Sequence, residues 1–284
     1  MPLNRACVGK SYPPVSVSVT QAAIENYARA CNETNPRYFD AASPGGIVAP
    51  PMYAAVATWT PLINAITDPE LGVDLVRLLH NAQEMDFLAP IRPQDSIISR
   101  GNVAAIESVA GGETLTIELD AHNQRGDAVN RTRFTVFIRG RRGAGPGAKE
   151  PESAFDAERS LFATTETIDR DQTVRYAEAS GDRNPIHLDP KIAAMAGLPS
   201  IIVHGLCTMA FAARALLDGL CASDPTRLRR LVAHFARPVF PGDTITTAAW
   251  PGDEADGLHC YRYVTRNPAG KAVIRDGIAL IARE

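Results

Sequence analysis

The sequence has few of the features that mark membrane, secreted or disulfide-linked proteins. It contains no apolar run approaching the roughly 20 residues that span a bilayer. Its N-terminus lacks the apolar core of a signal peptide. The five cysteines are scattered and form no CxxC pair, which is typical of reduced thiols. We therefore predict a cytoplasmic protein with no membrane partner.

Patterns that bind metals, nucleotides or nucleic acids are also missing. There is no HExxH motif and no glycine-rich phosphate loop, so we predict neither a metal nor a cofactor. Lysine and arginine total 29 against 32 aspartate and glutamate residues, and the basic residues form no long run. With a net charge of −3, the chain is not expected to bind nucleic acid.

What the chain does contain is an internal duplication. Residues 27–40 and 176–189 share a tyrosine, two alanines, an Asn-Pro pair and a final aspartate at an offset of 149 positions. Residues 87–97 and 235–245 match at an offset of 148. Two matches so far apart at nearly one offset indicate that the halves of the chain are copies of one fold.

The duplication sets the expected domain boundaries. A segment rich in glycine, proline and charge lies at the midpoint and has no periodicity. We predict one domain over residues 1–139, a linker over residues 140–158 and a second domain over residues 159–284. A length of 284 residues suits two domains of this size.

Both halves carry the same order of predicted elements. In the second half the pattern predicts a helix from a cap at Asp169 or Asp171 to Gly181, a short helix capped by Asp189, and a buried helix over residues 206–217. Strands follow over residues 230–236, 244–250, 258–265 and 272–282. The first half repeats this order, with a buried helix over residues 51–66 and strands near residues 80–88, 95–108, 113–123 and 128–138. A long apolar helix followed by antiparallel strands predicts an α+β fold whose sheet wraps around the helix.

The residues with the clearest chemical potential lie around an Asn-Pro turn in the second half. Asp182 and His187 are five positions apart on either side of Asn184-Pro185, so a tight loop could aim both side chains into one cleft. Such a pair can activate water near neutral pH. Gly205 opens the apolar helix, and its N–H could bind a developing oxyanion. We predict Asp182, His187 and Gly205 as catalytic residues, with Asn184 supporting the turn or the pair.

Structural explanations exist for these and other polar residues. The loop residues could serve only to shape a turn, and Gly205 could serve only the tight entry into the helix. His204 is interpreted as a loop residue, and Cys207 as a core residue. His80 and Gln83 form a polar pair in an apolar strand of the first half, and we interpret them as structural or as part of an interface.

The first half lacks the groups that this chemistry requires. Glu33 and Tyr38 stand where the second half has its aspartate and histidine. Pro50 and Pro51 lie near the position of the glycine that opens the helix, and proline has no N–H to donate. We therefore predict one active site per chain, in the second half, and a catalytically silent first half.

Residues 176–187, together with residues 203–205, closely resemble the motif of the R-specific enoyl-CoA hydratases, the MaoC-like group of hot-dog proteins. The resemblance continues through residues 237–244 and, in degenerate form, through the first half. It implies a double hot-dog, in which two tandem domains each wrap an antiparallel sheet around a long central helix. It also implies reversible syn hydration of trans-2-enoyl-CoA to (3R)-hydroxyacyl-CoA. In that reaction Asp182 and His187 activate water, while the N–H of the helix-opening glycine polarises the thioester carbonyl.

The resemblance leaves several alternatives open. The same chemistry serves (3R)-hydroxyacyl-carrier-protein dehydratases of fatty-acid or polyketide synthesis. The hot-dog fold also supports acyl-CoA thioesterases and non-catalytic acyl-CoA-binding subunits. The expected partner is therefore a thioester of coenzyme A or of acyl carrier protein, and a homodimer stays open. The silent half is implied to have widened its cleft for the acyl tail.

Overall fold

The structure is a computed structural model that describes residues 2–140, 159–254 and 257–283. The predicted linker at residues 140–158 lies outside the described residues apart from Gly140, so its boundaries stay a prediction. The elements of the first half are β1 (Val15–Ser18), α1 (Gln21–Ala30), α2 (Ala54–Ala57), α3 (Trp59–Ile66), β2 (Leu78–Phe87), β3 (Ser96–Val109), β4 (Gly112–His122) and β5 (Ala128–Arg139). Those of the second half are β6 (Phe162–Thr167), α4 (Gln172–Ser180), α5 (Pro190–Met195), α6 (Gly205–Leu220), β7 (Leu228–Phe235), β8 (Thr244–Pro251), β9 (His259–Arg266) and β10 (Ala272–Ile281).

All ten strands belong to one antiparallel sheet. Their order is β1-β3-β4-β5-β2-β7-β10-β9-β8-β6, so the second half reverses the order of the first across the central pair. That pair, β2 with β7, runs from Ala82 opposite His234 to Asp86 opposite Arg230. The predicted duplication is therefore visible in the topology, and the backbone hydrogen bonds of β2 and β7 join the two halves.

The helices pack on one side of the strands and fill a shared core. The helix α6 is buried along most of its 16 residues, as its nearly continuous apolar sequence predicts. A single hydrophobic cluster takes side chains from both halves, including Tyr27 of α1 and Tyr176 of α4, whose rings lie 5.9 Å apart. Together with the sheet order, this packing confirms the predicted α+β double hot-dog architecture. Among the described residues, no helix is long and apolar enough to cross a membrane.

The buried helix of the first half differs from its prediction. Residues 51–66 form a 3₁₀ turn followed by two short helices, α2 and α3, instead of one continuous helix. Pro61 has no N–H to donate to the carbonyl of Ala57, and the hydroxyl of Ser99 donates to that carbonyl at 2.9 Å instead. The Thr58 side chain also donates to the carbonyl of Ala54 at 2.9 Å. These substitute hydrogen bonds stabilise the break at Thr58.

The helices of the second half agree better with the sequence. Gly181 ends α4 in the left-handed conformation, and the Asp189 side chain caps α5 by accepting the N–H of Lys191. Asp171 occupies the cap position of α4 without a capping hydrogen bond from its side chain. The N–H of Asp169 instead donates to the side-chain oxygen of Gln172 at 3.2 Å.

Candidate active site

The loop between α4 and α5 carries the predicted catalytic pair. Gly181 has φ +82°, a conformation that strains residues with a side chain, and it turns the chain sharply out of α4. The chain then passes through a 3₁₀ turn, Pro185–His187, which the Asn184 side chain caps by accepting a backbone N–H. The N–H of Asn184 donates to Oδ1 of Asp182 at 3.1 Å. This short loop therefore orients Asp182 while it places His187 beside it.

His187 is held in one tautomer. Its Nδ1 lies 2.8 Å from the carbonyl oxygen of Ile202, and a carbonyl can only accept. Nδ1 therefore donates, and Nε2 keeps its lone pair. The side chain is only 7% exposed, so the imidazole cannot swing freely into water.

The structure brings the predicted pair together and adds a third side chain to it. A carboxylate oxygen of Asp182 and one ring nitrogen each of His187 and His204 lie within 4.8 Å of one another. Nε2 of His204 donates to the backbone carbonyl of Asp182 at 3.0 Å. The His204 ring also stacks on the His187 ring, with centroids 3.8 Å apart. His204, which the sequence suggested only as a loop residue, thus contacts both members of the pair.

Burial shifts the pKa values in this cluster toward the uncharged forms. It raises the pKa of the Asp182 carboxyl, which the charge of a protonated His187 would lower. It lowers the pKa of His187, which the Asp182 carboxylate raises. The pKa of His204 falls to about 3 through burial and through repulsion from a charged His187, so His204 is neutral at physiological pH.

Gly205 places a free backbone donor directly after His204, next to this cluster. It is the first residue of α6, so its N–H has no acceptor within the helix, and the hydrogen bonds of the described residues give it none elsewhere. The N-terminus of a 16-residue helix is also the positive end of its dipole. An anionic oxygen bound there would gain both a hydrogen bond and a favourable field.

One wall of the cleft comes from the first half. A Cβ added at Gly205 would lie 3.4 Å from Nδ1 of His80 and 3.4 Å from the ring of Phe235. Nε2 of His80 lies 3.2 Å from the side-chain oxygen of the buried Gln83, and its ring stacks on Phe134 with centroids 4.0 Å apart. Burial lowers the pKa of His80 to about 3, so this imidazole is neutral. The interpretation of His80 and Gln83 as structural or interface residues stays untested, but their location is beside the predicted oxyanion site.

The Asp182, His187 and His204 cluster is also the one group among the described residues with the spacing of metal ligands. One nitrogen of each histidine already donates to a backbone carbonyl. A metal ion would therefore have to take the second nitrogen of each ring together with the carboxylate. The expectation of a metal-free and cofactor-free site stays a prediction.

The corresponding loop in the first half has a different environment. Glu33 is 8% exposed, and burial raises its pKa to about 8, although the nearby Arg214 of α6 opposes that shift. Arg214 donates to the carbonyls of Cys31 and Asn32 and forms an ion pair with Glu166. The counterpart of the catalytic carboxylate is therefore a buried carboxyl that is mostly protonated at neutral pH.

The remaining counterparts also lack the donors and acceptors of the second half. The hydroxyl of Tyr38 is buried and has no hydrogen-bond partner among the described residues. Pro50 and Pro51 lie at the start of a 3₁₀ turn and line a cavity of about 120 Å³, which Phe87 and Leu228 also line. Because proline offers no N–H, this cavity has no equivalent of the Gly205 donor at that point.

Three residues near the site were missed or undervalued by reasoning from the sequence. His204 and His80 are described above, and Trp59 of α3 packs against Gly181. The sequence does contain one signal for His80. The 148-residue offset aligns it with Leu228, and a histidine at the position where the other copy has leucine indicates that the two copies use this position differently. Nothing in the sequence separates Trp59 from an ordinary core residue, because its position depends on the break between α2 and α3.

The fold and this site define a double hot-dog protein of the hydratase and dehydratase type, and comparisons with known proteins agree. Residues 149–269 match the MaoC like domain, and residues 6–132 match the FAS1-like, dehydratase domain region. The chain is 30% identical over 213 residues to the peroxisomal enoyl-CoA hydratase 2 of Arabidopsis thaliana, covering 70% of this chain and 68% of that protein. It is 27% identical over 276 residues to a probable enoyl-CoA hydratase 2 of Dictyostelium discoideum, covering 94% and 92% of the two chains.

A solved structure supports the same fold. The crystal structure of a MaoC-like dehydratase from Phytophthora capsici superposes with a TM-score of 0.84 at 24% identity, covering 99% of both chains. The chain belongs to the MaoC-like hydratase and dehydratase family, in its double hot-dog form. The expected family resemblance is confirmed.

Proposed function

We propose that this enzyme adds water reversibly across the double bond of trans-2-enoyl-CoA to give (3R)-hydroxyacyl-CoA, at a single site in its second half. The observation that carries the proposal is the convergence of three groups at the start of α6. These are the carboxylate of Asp182, the imidazole of His187 and the unpaired N–H of Gly205. The enoyl-CoA hydratase 2 relatives support the same reaction.

Asp182 and His187 act on the water. The lone pair on Nε2 of His187 and the carboxylate of Asp182 both accept hydrogen bonds, so together they hold a water molecule and remove one of its protons. The remaining hydroxide adds to C3 of the enoyl group. The hydrogen bond from Nδ1 of His187 to the carbonyl of Ile202 keeps Nε2 available as the acceptor throughout.

Gly205 acts on the thioester. As hydroxide adds to C3, the electron pair of the C2–C3 double bond moves toward the carbonyl, and charge develops on its oxygen. The N–H of Gly205 donates to this oxygen at the positive end of α6 and stabilises the enolate. The pair that took the proton from water then returns a proton to C2 from the same face, which gives syn addition. The reverse sequence removes water.

The first half would serve substrate binding and stability. In the first half, Glu33 and Tyr38 stand in place of the aspartate and histidine, and Pro50 and Pro51 offer no N–H. We therefore assign catalysis to residues 159–284 and substrate accommodation to residues 1–139. A cleft freed from catalysis can accommodate a bulky acyl tail. The linker at residues 140–158 would join the two domains.

The carrier of the acyl group, the assembly and the compartment are also proposals. A coenzyme A thioester is the substrate favoured by the hydratase relatives, with acyl carrier protein as the alternative carrier. A homodimer is proposed because hot-dog proteins often associate into dimers. We propose a cytoplasmic location because the five cysteines are free thiols; the peroxisomal name of the Arabidopsis relative makes the peroxisome the alternative.

A hydration assay tests this function. Crotonyl-CoA, a medium-chain and a long-chain trans-2-enoyl-CoA are supplied with the purified chain, and loss of the conjugated thioester absorbance is followed. The chirality of the product is then determined. We expect (3R) product from at least one chain length, and no free thiol. Release of thiol would instead favour a thioesterase, and activity confined to carrier-protein substrates would favour the dehydratase alternative.

A further inference from the structure

The catalytic loop of the second half packs against a side chain that comes from the first half. A Cβ added at Gly181 would meet Cδ1 of Trp59 at 3.4 Å and Nε1 of Trp59 at 3.7 Å. Gly181 immediately precedes Asp182, so the indole lies against one side of the turn that orients Asp182, while Gly181 itself stays exposed. Trp59 is the first residue of α3, and the break at Thr58 sets its position.

The corresponding loop of the first half contacts charged side chains instead of an apolar ring. By the 149-residue offset, Gly181 corresponds to Asn32, and both residues have positive φ. Polar side chains reach the Asn32 loop from the other half: Arg214 donates to the carbonyls of Cys31 and Asn32, and Asp169 and Arg175 bind the Asn32 side chain. Each loop is therefore covered by a helix of the other half, through a guanidinium in the silent copy and through an indole in the catalytic copy.

This difference matters for the chemistry. A guanidinium beside the loop would stabilise the carboxylate form and would offer several donors that compete for its oxygens. An indole instead holds the backbone through apolar contact, and it leaves the carboxylate oxygens free for water and substrate. The titratable groups facing Asp182 are His187, His204 and Tyr176, so its charge responds chiefly to His187 and to burial.

We propose that Trp59 is a positioning residue for hydration in the second half: its indole holds the Gly181–Asp182 turn in place. The silent half therefore contributes to the chemical step as well as to the fold. This inference rests on the proposed roles of Asp182 and His187. It assigns Trp59 no contact with the reacting atoms.

The test compares three substitutions. Trp59→Ala removes the indole, Trp59→Phe keeps an apolar ring, and Trp250→Phe makes the same aromatic exchange at the other tryptophan of the chain, in a separate cluster on β8. We expect Trp59→Ala to lower kcat by about 100-fold, since small misplacement of a catalytic group has effects of that size. KM should stay within about threefold, because binding energy elsewhere is untouched. Trp59→Phe should restore most of kcat, and Trp250→Phe should resemble the parent enzyme.

The pH profile separates positioning from simple destabilisation. The pair must be unprotonated to accept a proton from water, so activity falls on the acid side of the profile. Release of the turn in Trp59→Ala changes the solvation and spacing of Asp182 and His187, on which their pKa values depend, so the acid limb of kcat/KM should move from its place in the parent enzyme by about half a unit or more. Destabilisation alone would scale the whole profile without moving that limb.

Clear outcomes overturn the inference. If Trp59→Ala keeps the kcat and the acid limb of Trp250→Phe, Trp59 has no positioning role. If Trp59→Ala does not fold, Trp59→Leu, which keeps apolar bulk without the flat ring, is measured in the same way. Asp182→Asn is assayed alongside: normal turnover in that variant refutes the proposed function, whereas its loss together with a normal Trp59→Ala refutes this inference alone.

Discussion

The imidazole rings of His187 and His204 stack with their centroids 3.8 Å apart, and His204 also donates through Nε2 to the backbone carbonyl of Asp182. One side chain therefore fixes the positions of both members of the catalytic pair. Its pKa of about 3 keeps it neutral, so it adds no positive charge beside His187 at working pH. A charged neighbour there would disfavour protonation of His187 during the reaction.

This arrangement predicts graded effects of substitution at His204. His204→Phe keeps a ring against His187 but loses the hydrogen bond to Asp182, and a neutral hydrogen bond contributes about 1 kcal/mol. We expect kcat to fall by about fivefold to tenfold, with a small decrease in Tm. His204→Ala also loses the stacked ring, so its kcat should fall further. Steady-state kinetics and thermal unfolding check both. A His204→Phe enzyme as inactive as a His187 variant would instead place His204 in the chemistry.

The predicted catalytic pair, Asp182 and His187, can be tested against the corresponding residues of the first half, which is predicted to be silent. Asp182→Asn and His187→Gln should each lower kcat by about 100-fold to 10,000-fold, the range expected for loss of a general acid or base. Glu33→Gln and Tyr38→Phe are the matched controls, because they neutralise or trim the corresponding positions in the first half. We expect both controls to keep turnover near that of the parent. If the substitutions at Glu33 and Tyr38 lowered kcat as much as those at Asp182 and His187, the proposal of a single active site would be contradicted.

The site could be predicted well where local chain chemistry determines it. The loop around Asn184-Pro185 combines a proline-fixed turn, an Asn cap and a positive-φ glycine, and these local preferences place Asp182 and His187 side by side wherever the loop lies. Gly205 could be predicted equally well, because a glycine at the start of a buried apolar helix leaves its N–H without a partner in the helix. The duplication also predicts that the first half is catalytically silent, and this stays a prediction.

The rest depends on contacts between residues that are distant in sequence. The break between α2 and α3 follows from Pro61 together with the hydroxyl of Ser99, which lies 42 positions beyond the carbonyl it contacts. Pro61 signals a break within residues 51–66, but its place at Thr58 depends on the distant Ser99. The position of Trp59 beside Gly181 is likewise a contact between residues far apart in sequence, which local patterns do not predict.

The oxyanion role of Gly205 can be tested by a substitution that removes its N–H. Proline is well tolerated at the first position of a helix, and His204, with φ −56° and ψ 135°, already has the extended backbone that a residue before proline requires. Gly205→Pro should therefore fold and lower kcat by about 100-fold to 1,000-fold, as losses of single oxyanion donors do.

Gly205→Ala is the matched control for that substitution. It keeps the N–H, and the added methyl group would lie 3.4 Å from His80 and from Phe235, which is close contact without severe overlap. We expect Gly205→Ala to retain far more activity than Gly205→Pro at similar Tm. If the two variants lose activity equally, crowding and not the lost donor explains the effect, and the oxyanion role is refuted.

The buried carboxyl of Glu33 makes a prediction about stability and pH. Burial raises its pKa from 4.5 to about 8 in the folded protein, whereas the unfolded chain ionises near the ordinary value. A raised folded pKa means that its contribution to stability is complete below about pH 4.5 and is lost as the pH rises to about 8. Glu33→Gln cannot ionise, so it should gain stability relative to the parent across this window, by roughly 1.4 kcal/mol per pH unit at most.

Urea unfolding of both proteins at pH 5, 6.5 and 8 measures the difference, and Glu178→Gln, at an exposed position on α4, serves as the control. A difference between Glu33→Gln and the parent that stays constant from pH 5 to pH 8 would show that Glu33 ionises normally in the folded state.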